Sequence, residues 1–227
     1  MRPLAFLLVL AACSAGPGVA APGESAPPLE TARVTSVADT VPVLGSAPKR
    51  EPIIVSLSLY VVSDAGGDSG LGTQRSIADV EAIASEIALV WAQADVIFDP
   101  VRVLEIETPA GVLGEIAATG GTDAFFAGAG RTFDIPAAGD INGFYVREAA
   151  GVNGFTPIAS RVFFVVDEPT VNDRRVSSHE IGHIFGLHHE LRDQTRLMYS
   201  GANGELLTDI EQTAARYGAE GIANGAR

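Results

Sequence analysis

Every histidine of this 227-residue chain lies between positions 179 and 189: His179, His183, His188 and His189. The first pair stands four apart in the run His179-Glu180-Ile181-Gly182-His183. On an α-helix, residues at that spacing lie about 40° apart around the axis, so both imidazoles leave the same face. Two nitrogen donors fixed on one face begin a zinc site. Glu180, one step round, is placed to reach a water on such an ion without ligating it. Its carboxylate can take the water's proton and hand it to a leaving amine. Gly186 lies just beyond His183, where a glycine can take positive φ, end the helix and send the chain back beneath the metal. His189 then arrives as third ligand and leaves a fourth position to water, which is the open geometry of catalytic rather than structural zinc. Zinc held this way lowers the pKa of its water to about 7 and polarises a carbonyl. His188 competes for the third position, but its spacing fits a surface or supporting role better. Gly182, inside the helix, costs about 1 kcal/mol relative to Ala and lets another element approach closely.

These side chains need a scaffold, and the pattern of the remaining chain supplies one. Thr170-Val171-Asn172-Asp173 offers a capping box for the motif helix. Ile53, Val55, Leu57, Leu59 and Val61 alternate with Ile54, Tyr60 and Val62, predicting a strand buried on both faces. Ser76-Ile77-Ala78-Asp79 reads as a second capping box, opening a helix with Ile77, Val80, Ala84, Ile87 and Trp91 on its buried face. Further strands are predicted at Val101–Ile106, Gly143–Arg147 and Arg161–Val166. Residues 108–140 read as loop, with at most a short helix near Asp123–Ala127. Leu207–Tyr217 reads as a helix packing through Ile210, Thr213, Ala214 and Tyr217. Trp91, Phe125 and Phe126 are expected in the core. Strands alternating with helices indicate an α/β sheet, and 47% hydrophobic residues suffice for one core spanning 51–227.

From His179 to His189 the sequence reads H-E-x-x-H-x-x-G-x-x-H, and Leu197-Met198-Tyr199 follows it. Together these resemble the extended zinc signature and Met-turn of the metzincin metalloproteases. The resemblance runs from roughly residue 52 to 218 in order of elements, with its specific part at 179–199. It implies an α/β fold of the α+β zincin type: a twisted mixed sheet of about five strands, an active-site helix, and a small C-terminal subdomain after Gly186. It further implies one catalytic Zn²⁺ on His179, His183 and His189, Glu180 as catalytic base, and Met198 as an apolar floor under the metal. The implied activity is zinc-dependent endopeptidase action on extended protein or peptide substrates, by Glu180-assisted attack of a zinc-bound water. The short connection from His189 to Met198 is similar to matrixins. Glu190 instead resembles astacins, whose zinc-binding tyrosine lies two places after the methionine; Tyr199 is adjacent to Met198 and is not assigned to zinc. Matrixin-like topology implies an edge strand at Gly151–Pro157 and a pocket lined by Tyr199–Gly201. Two alternatives stay open: a non-catalytic zinc- or peptide-binding envelope lipoprotein on the same scaffold, and a zinc hydrolase acting on a non-peptide carbonyl. The presence of Glu180 favours an enzyme over the binding module.

The amino terminus reads as an address. Leu4–Ala12 is apolar but shorter than the roughly 20 residues a bilayer span needs. Leu10-Ala11-Ala12-Cys13 resembles the lipobox of bacterial lipoproteins, which implies removal of residues 1–12 and a lipid anchor on Cys13. Ser14 is compatible with sorting to an outer membrane. The alternative is a secretory signal cut near Gly18-Val19-Ala20; either route exports the chain. Residues 13–50 carry the lipidated Cys13 and an Ala-, Pro-, Gly- and Ser-rich tether. They leave open a pro-segment with a carboxylate switch, for instance at Asp39. Cys13 is the single cysteine, which excludes an intramolecular disulfide. A net charge of −13 argues against nucleic acid as partner. A monomer is expected. Structural Ca²⁺ in the acidic loop Asp64–Asp68 has no support beyond loop charge that solvation explains.

Overall fold

The apolar run Ile53–Asp64 forms β1, whose Leu57 and Leu59 face one core and whose Tyr60 and Val62 face another. Burial on both faces is what a central strand with parallel neighbours requires. Its partners are β2 (Val96–Thr108), β3 (Ile141–Val146), β4 (Gly154–Phe155) and β5 (Val162–Val166), in the order β2-β1-β3-β5-β4. All pairings are parallel except that of β4 with β5. The expected mixed α/β sheet of five strands is therefore present, with the short β4 inside the predicted edge segment Gly151–Pro157. The computed structural model describes residues 50–65, 70–109, 111–126, 141–169, 173–201 and 204–225. The expectations for residues 1–49, including Cys13 and Asp39, lie outside these. So do most of the Asp64–Asp68 loop and residues 170–172 of the predicted capping box.

An aromatic ladder ties the edge of the sheet to its centre. Tyr60 pairs with Phe144, Phe144 with Phe164, and Phe164 with Phe155. Their rings stack at centroid separations of 4.7, 5.2 and 4.9 Å. Phe125 closes the stack edge-on against Phe144 and Phe164. Such contacts add about 0.5–1.5 kcal/mol each beyond burial, which is how a two-residue strand keeps its register.

α1 (Ile77–Trp91) opens with the predicted capping box: Ser76 Oγ accepts the Asp79 amide at 3.2 Å, and the Ser76 amide donates to Asp79 Oδ2 at 2.8 Å. Its buried face is Val80, Ile83, Ala84, Ile87, Val90 and Trp91. Ile77, expected in that face, is instead 37% exposed, and the buried face begins one turn in, at Val80. Trp91 is fully buried edge-on to Phe185. The segment read as loop contains α2 (Val112–Thr119), which buries Leu113 and Ile116. Gly111 and Gly120, both at positive φ, terminate that helix rather than marking a loop. A helical turn at 123–126 buries Phe125, and β2 extends beyond the predicted Val101–Ile106 at both ends.

α3 (Asp173–Ile184) carries the histidine motif, and α4 (Asp209–Ala223) closes the C-terminal subdomain after a capping box between Thr208 and Glu211. α4 packs through Ala215, Ala219 and Ile222. The predicted packing stripe is wrong: Ile210 is 82% and Tyr217 81% exposed, and Thr213 and Ala214 face outward with them. Small residues on the opposite face allow an approach so close that a Cβ at Gly218 would run into the Phe185 backbone.

Alanine in place of a helical glycine ordinarily stabilises by up to about 1 kcal/mol. At Gly218 the clash is with backbone, which cannot rotate away, and overpacking of this kind costs about 1–3 kcal/mol. Gly218→Ala is therefore expected to lower the urea midpoint without changing the m-value, and a rise in the midpoint would contradict this packing.

Candidate metal centre

α3 presents His179 and His183 one turn apart, with ring centroids 4.8 Å from each other. The helix ends in a Schellman motif. Gly186 stands at φ +86°, its amide donates to His183 O at 3.0 Å, and the Leu187 amide donates to Gly182 O at 2.8 Å. The chain so reversed brings the His189 ring to 4.7 Å from His183 and 5.2 Å from His179. One nitrogen from each of the three lies within 4.8 Å of the others, and His183 Nε2 is 3.1 Å from His189 Nε2. His188 is exposed and outside the cluster. The structure thus brings together His179, His183 and His189 as a set able to hold a metal ion.

Backbone carbonyls fix how the imidazoles face. His179 Nδ1 donates to Leu197 O at 2.8 Å and His183 Nδ1 to Leu187 O at 3.0 Å. A carbonyl only accepts, so both Nδ1 atoms carry the proton and the Nε2 lone pairs are left for the cluster. Burial holds His179 well below the ordinary histidine range and takes His183 down to about 4; His189 is lowered by the same cause. Neutral imidazoles are the form that binds a metal.

Glu180 is 1% exposed. Burial raises its carboxyl to about 8, against the opposing pull of the Thr156 hydroxyl and the Arg175 charge. Thr156 Oγ1 lies 2.9 Å from Glu180 Oε2 and 3.1 Å from Glu180 O. A cation among the histidines would draw the carboxyl back down. In the metal-free chain Glu180 thus lies near neutrality, where a group can both take and return a proton.

Met198 is fully buried beneath the motif helix, and a Cβ at Gly182 would sit 2.5 Å from its sulfur. The close approach expected of Gly182 is therefore that of Met198. The turn carrying it closes from the Tyr199 amide to Arg196 O at 3.2 Å, and the Glu190 amide donates to Met198 O at 2.9 Å. Sequence reasoning missed Arg175 and Thr156. Arg175, 1% exposed and one turn before His179, donates to Leu197 O at 3.0 Å and to Tyr199 O. Its guanidinium therefore ties the turn to the helix. A charged residue four places before His179, on the same face, was a usable signal. Thr156 carried none, since its partner is distant in sequence.

No protein-family model matches the sequence, and no curated protein matches it. Among solved structures the chain is similar to metalloproteinase-II from Bacteroides fragilis, at 12% identity and a TM-score of 0.49. The match covers 75% of this chain and 55% of that one.

The shifted groups set a pH profile for the metal-free chain. His183 at about 4, against an ordinary 6.5, means that the unfolded state binds the extra proton in between. Its contribution is complete above 6.5 and is lost as pH falls toward 4, and His179 and His189 act in the same direction. Glu180 has the opposite sign: raised from 4.5 to about 8, it contributes fully below 4.5 and loses that contribution as pH rises through 8. Three histidines outweigh one carboxyl on the acid side, so stability should peak near pH 6.5 and fall on both sides. Urea unfolding in chelator across pH measures this. Glu180→Gln should flatten the alkaline limb and steepen the acid one, because the carboxyl opposes the histidines between pH 4.5 and 6.5.

Proposed function

We propose that the chain is a zinc-dependent endopeptidase of metzincin type, matrixin-like in its short link from His189 to Met198. One observation carries the proposal: three histidine nitrogens converge within 4.8 Å of one another beside a buried carboxylate that is not among them. Neutral imidazoles suit zinc, and the 3.1 Å between two of the nitrogens is close to what ligands at about 2.0–2.1 Å around a tetrahedral centre require. When bound, the ion supplies Lewis acidity toward water and toward the carbonyl under attack.

His179, His183 and His189 would hold the ion, the first two kept in orientation by Leu197 O and Leu187 O. Glu180 takes a proton from the attacking water and returns it to the leaving amine. β4, the antiparallel edge of the sheet beside Glu180, offers its free side to an extended peptide as one more strand. Met198 and Gly182 form the packed floor under the histidines. Export with a lipid anchor on Cys13 is part of the same proposal and rests on the sequence Leu10–Cys13.

The full chain, purified in detergent and loaded with zinc, should cut a diverse peptide mixture at defined side-chain preferences, read by mass spectrometry. Glu180→Ala should abolish the cuts while retaining zinc. His189→Ala should lose zinc by elemental analysis, and His188→Ala should keep both zinc and activity. A folded, zinc-loaded wild type that binds peptides without cutting them would replace the enzyme with a binding module.

A further inference from the structure

The general base of a buried site has three rotatable bonds, so something must choose its orientation. Among the described residues, Thr156 is the one side chain that hydrogen-bonds the carboxylate of Glu180, at 2.9 Å to Oε2. Its hydroxyl also lies 3.1 Å from the Glu180 carbonyl on the helix backbone. A hydroxyl has a single proton to donate, and an ionised carboxylate is the stronger acceptor of the two. Threonine is branched at Cβ and stiff about χ1, so the donor direction is set by the backbone that carries it.

That backbone is itself closely placed. Thr156 directly follows β4, and β4 lies so near α3 that a Cβ at Gly154 would meet Val176 Cγ1 at 2.8 Å and Glu180 Cγ at 3.3 Å. Phe155 between them is locked in the aromatic ladder, stacked on Phe164 at 4.9 Å. Hence the hydroxyl is held by the sheet edge, while the carboxylate is carried by the helix.

We propose that Thr156 is a positioning residue, whose hydroxyl orients the Glu180 carboxylate by referencing it to the strand along which the substrate lies. The inference rests on the endopeptidase reading and deepens it. Base and substrate backbone then share one frame, so a substrate seated on β4 is automatically in register with the group that moves the proton. General bases contribute about 10²–10⁴-fold to rate, and misplacement by about 1 Å forfeits much of that.

The test compares Thr156→Val, which keeps the shape and drops the hydroxyl, with Thr156→Ser, which keeps the hydroxyl. Thr156→Val should lower kcat about tenfold or more, leaving KM within about twofold and zinc affinity by titration unchanged. Thr156→Ser should stay within about threefold of wild type in kcat. Crystal structures of the zinc-free variants should show the Glu180 carboxylate displaced in Val and in place in Ser. Wild-type kcat in Val, equal losses in Val and Ser, or a raised KM with unchanged kcat in Val would each overturn the assignment. If wild type itself cuts nothing, the endopeptidase reading fails and the crystal structures decide this one alone. An unmoved Glu180 in Thr156→Val would then overturn it. Should Val not fold, Thr156→Ala removes the hydroxyl without added bulk and carries the same expectations.

Discussion

Two hydrogen bonds, from His179 Nδ1 to Leu197 O and from His183 Nδ1 to Leu187 O, decide what the histidine cluster can be. They leave both Nε2 atoms as lone-pair donors aimed at one place. Neither acceptor belongs to the helix that carries the histidines. Leu187 O is where it is because Gly186 takes a φ of +86° and reverses the chain. Leu197 O is where it is because the Arg196–Tyr199 turn lies under the helix, bound there by Arg175 and by Met198 packed on Gly182. Without those two loops the motif helix would present two imidazoles free to rotate and to take either tautomer.

The arrangement carries an electrostatic cost. Arg175, His179 and Glu180 are all nearly inaccessible, and polar groups taken out of water are tolerated only when hydrogen-bonded. Each here has a named partner: two carbonyls for Arg175, Leu197 O for His179, Thr156 for Glu180. The guanidinium stands beside the imidazoles and helps keep them neutral, while its pull on Glu180 opposes burial. One buried cation therefore favours the ligand form of the histidines and moderates the basicity of the carboxylate.

What the sequence made legible was local. His179, His183, Gly186 and His189 are read from spacing, because one helix and one turn bring them together, whereas Met198 is read from the resemblance of Leu197-Met198-Tyr199 to a Met-turn. The strands β1 and β5 were legible because strands buried on both faces are largely apolar runs. α2 was not, since its eight residues sit between glycines that look like loop signals until their φ angles are known. α4 was found but its face inverted. Ile210 and Tyr217 outweigh Ala215, Gly218 and Ala219 on any apolarity scale, whereas close packing against β1 and Phe185 selects for small side chains. Thr156 was illegible because its role depends on a contact across 24 residues, made by a two-residue strand. The anchor and tether readings rest on residues 1–49, which the described structure does not include.

Helix geometry explains why the two helical histidines sit between two such contacts. At about 100° per residue, Val176 and Glu180 share one flank of α3, His179 and His183 occupy the next, and Arg175 and Gly182 the one beyond. β4 presses on the first flank, where Gly154 leaves no room for a side chain. The methionine turn presses on the third, where Gly182 leaves none either. The histidine face is thus gripped from both sides by backbone-close packing, and each grip also delivers a polar partner: Thr156 from the β4 side, Leu197 O from the turn. Close approach and hydrogen bonding are the same event at both edges, so a bulky residue at either glycine would not only strain the core but also withdraw the group that orients Glu180 or His179.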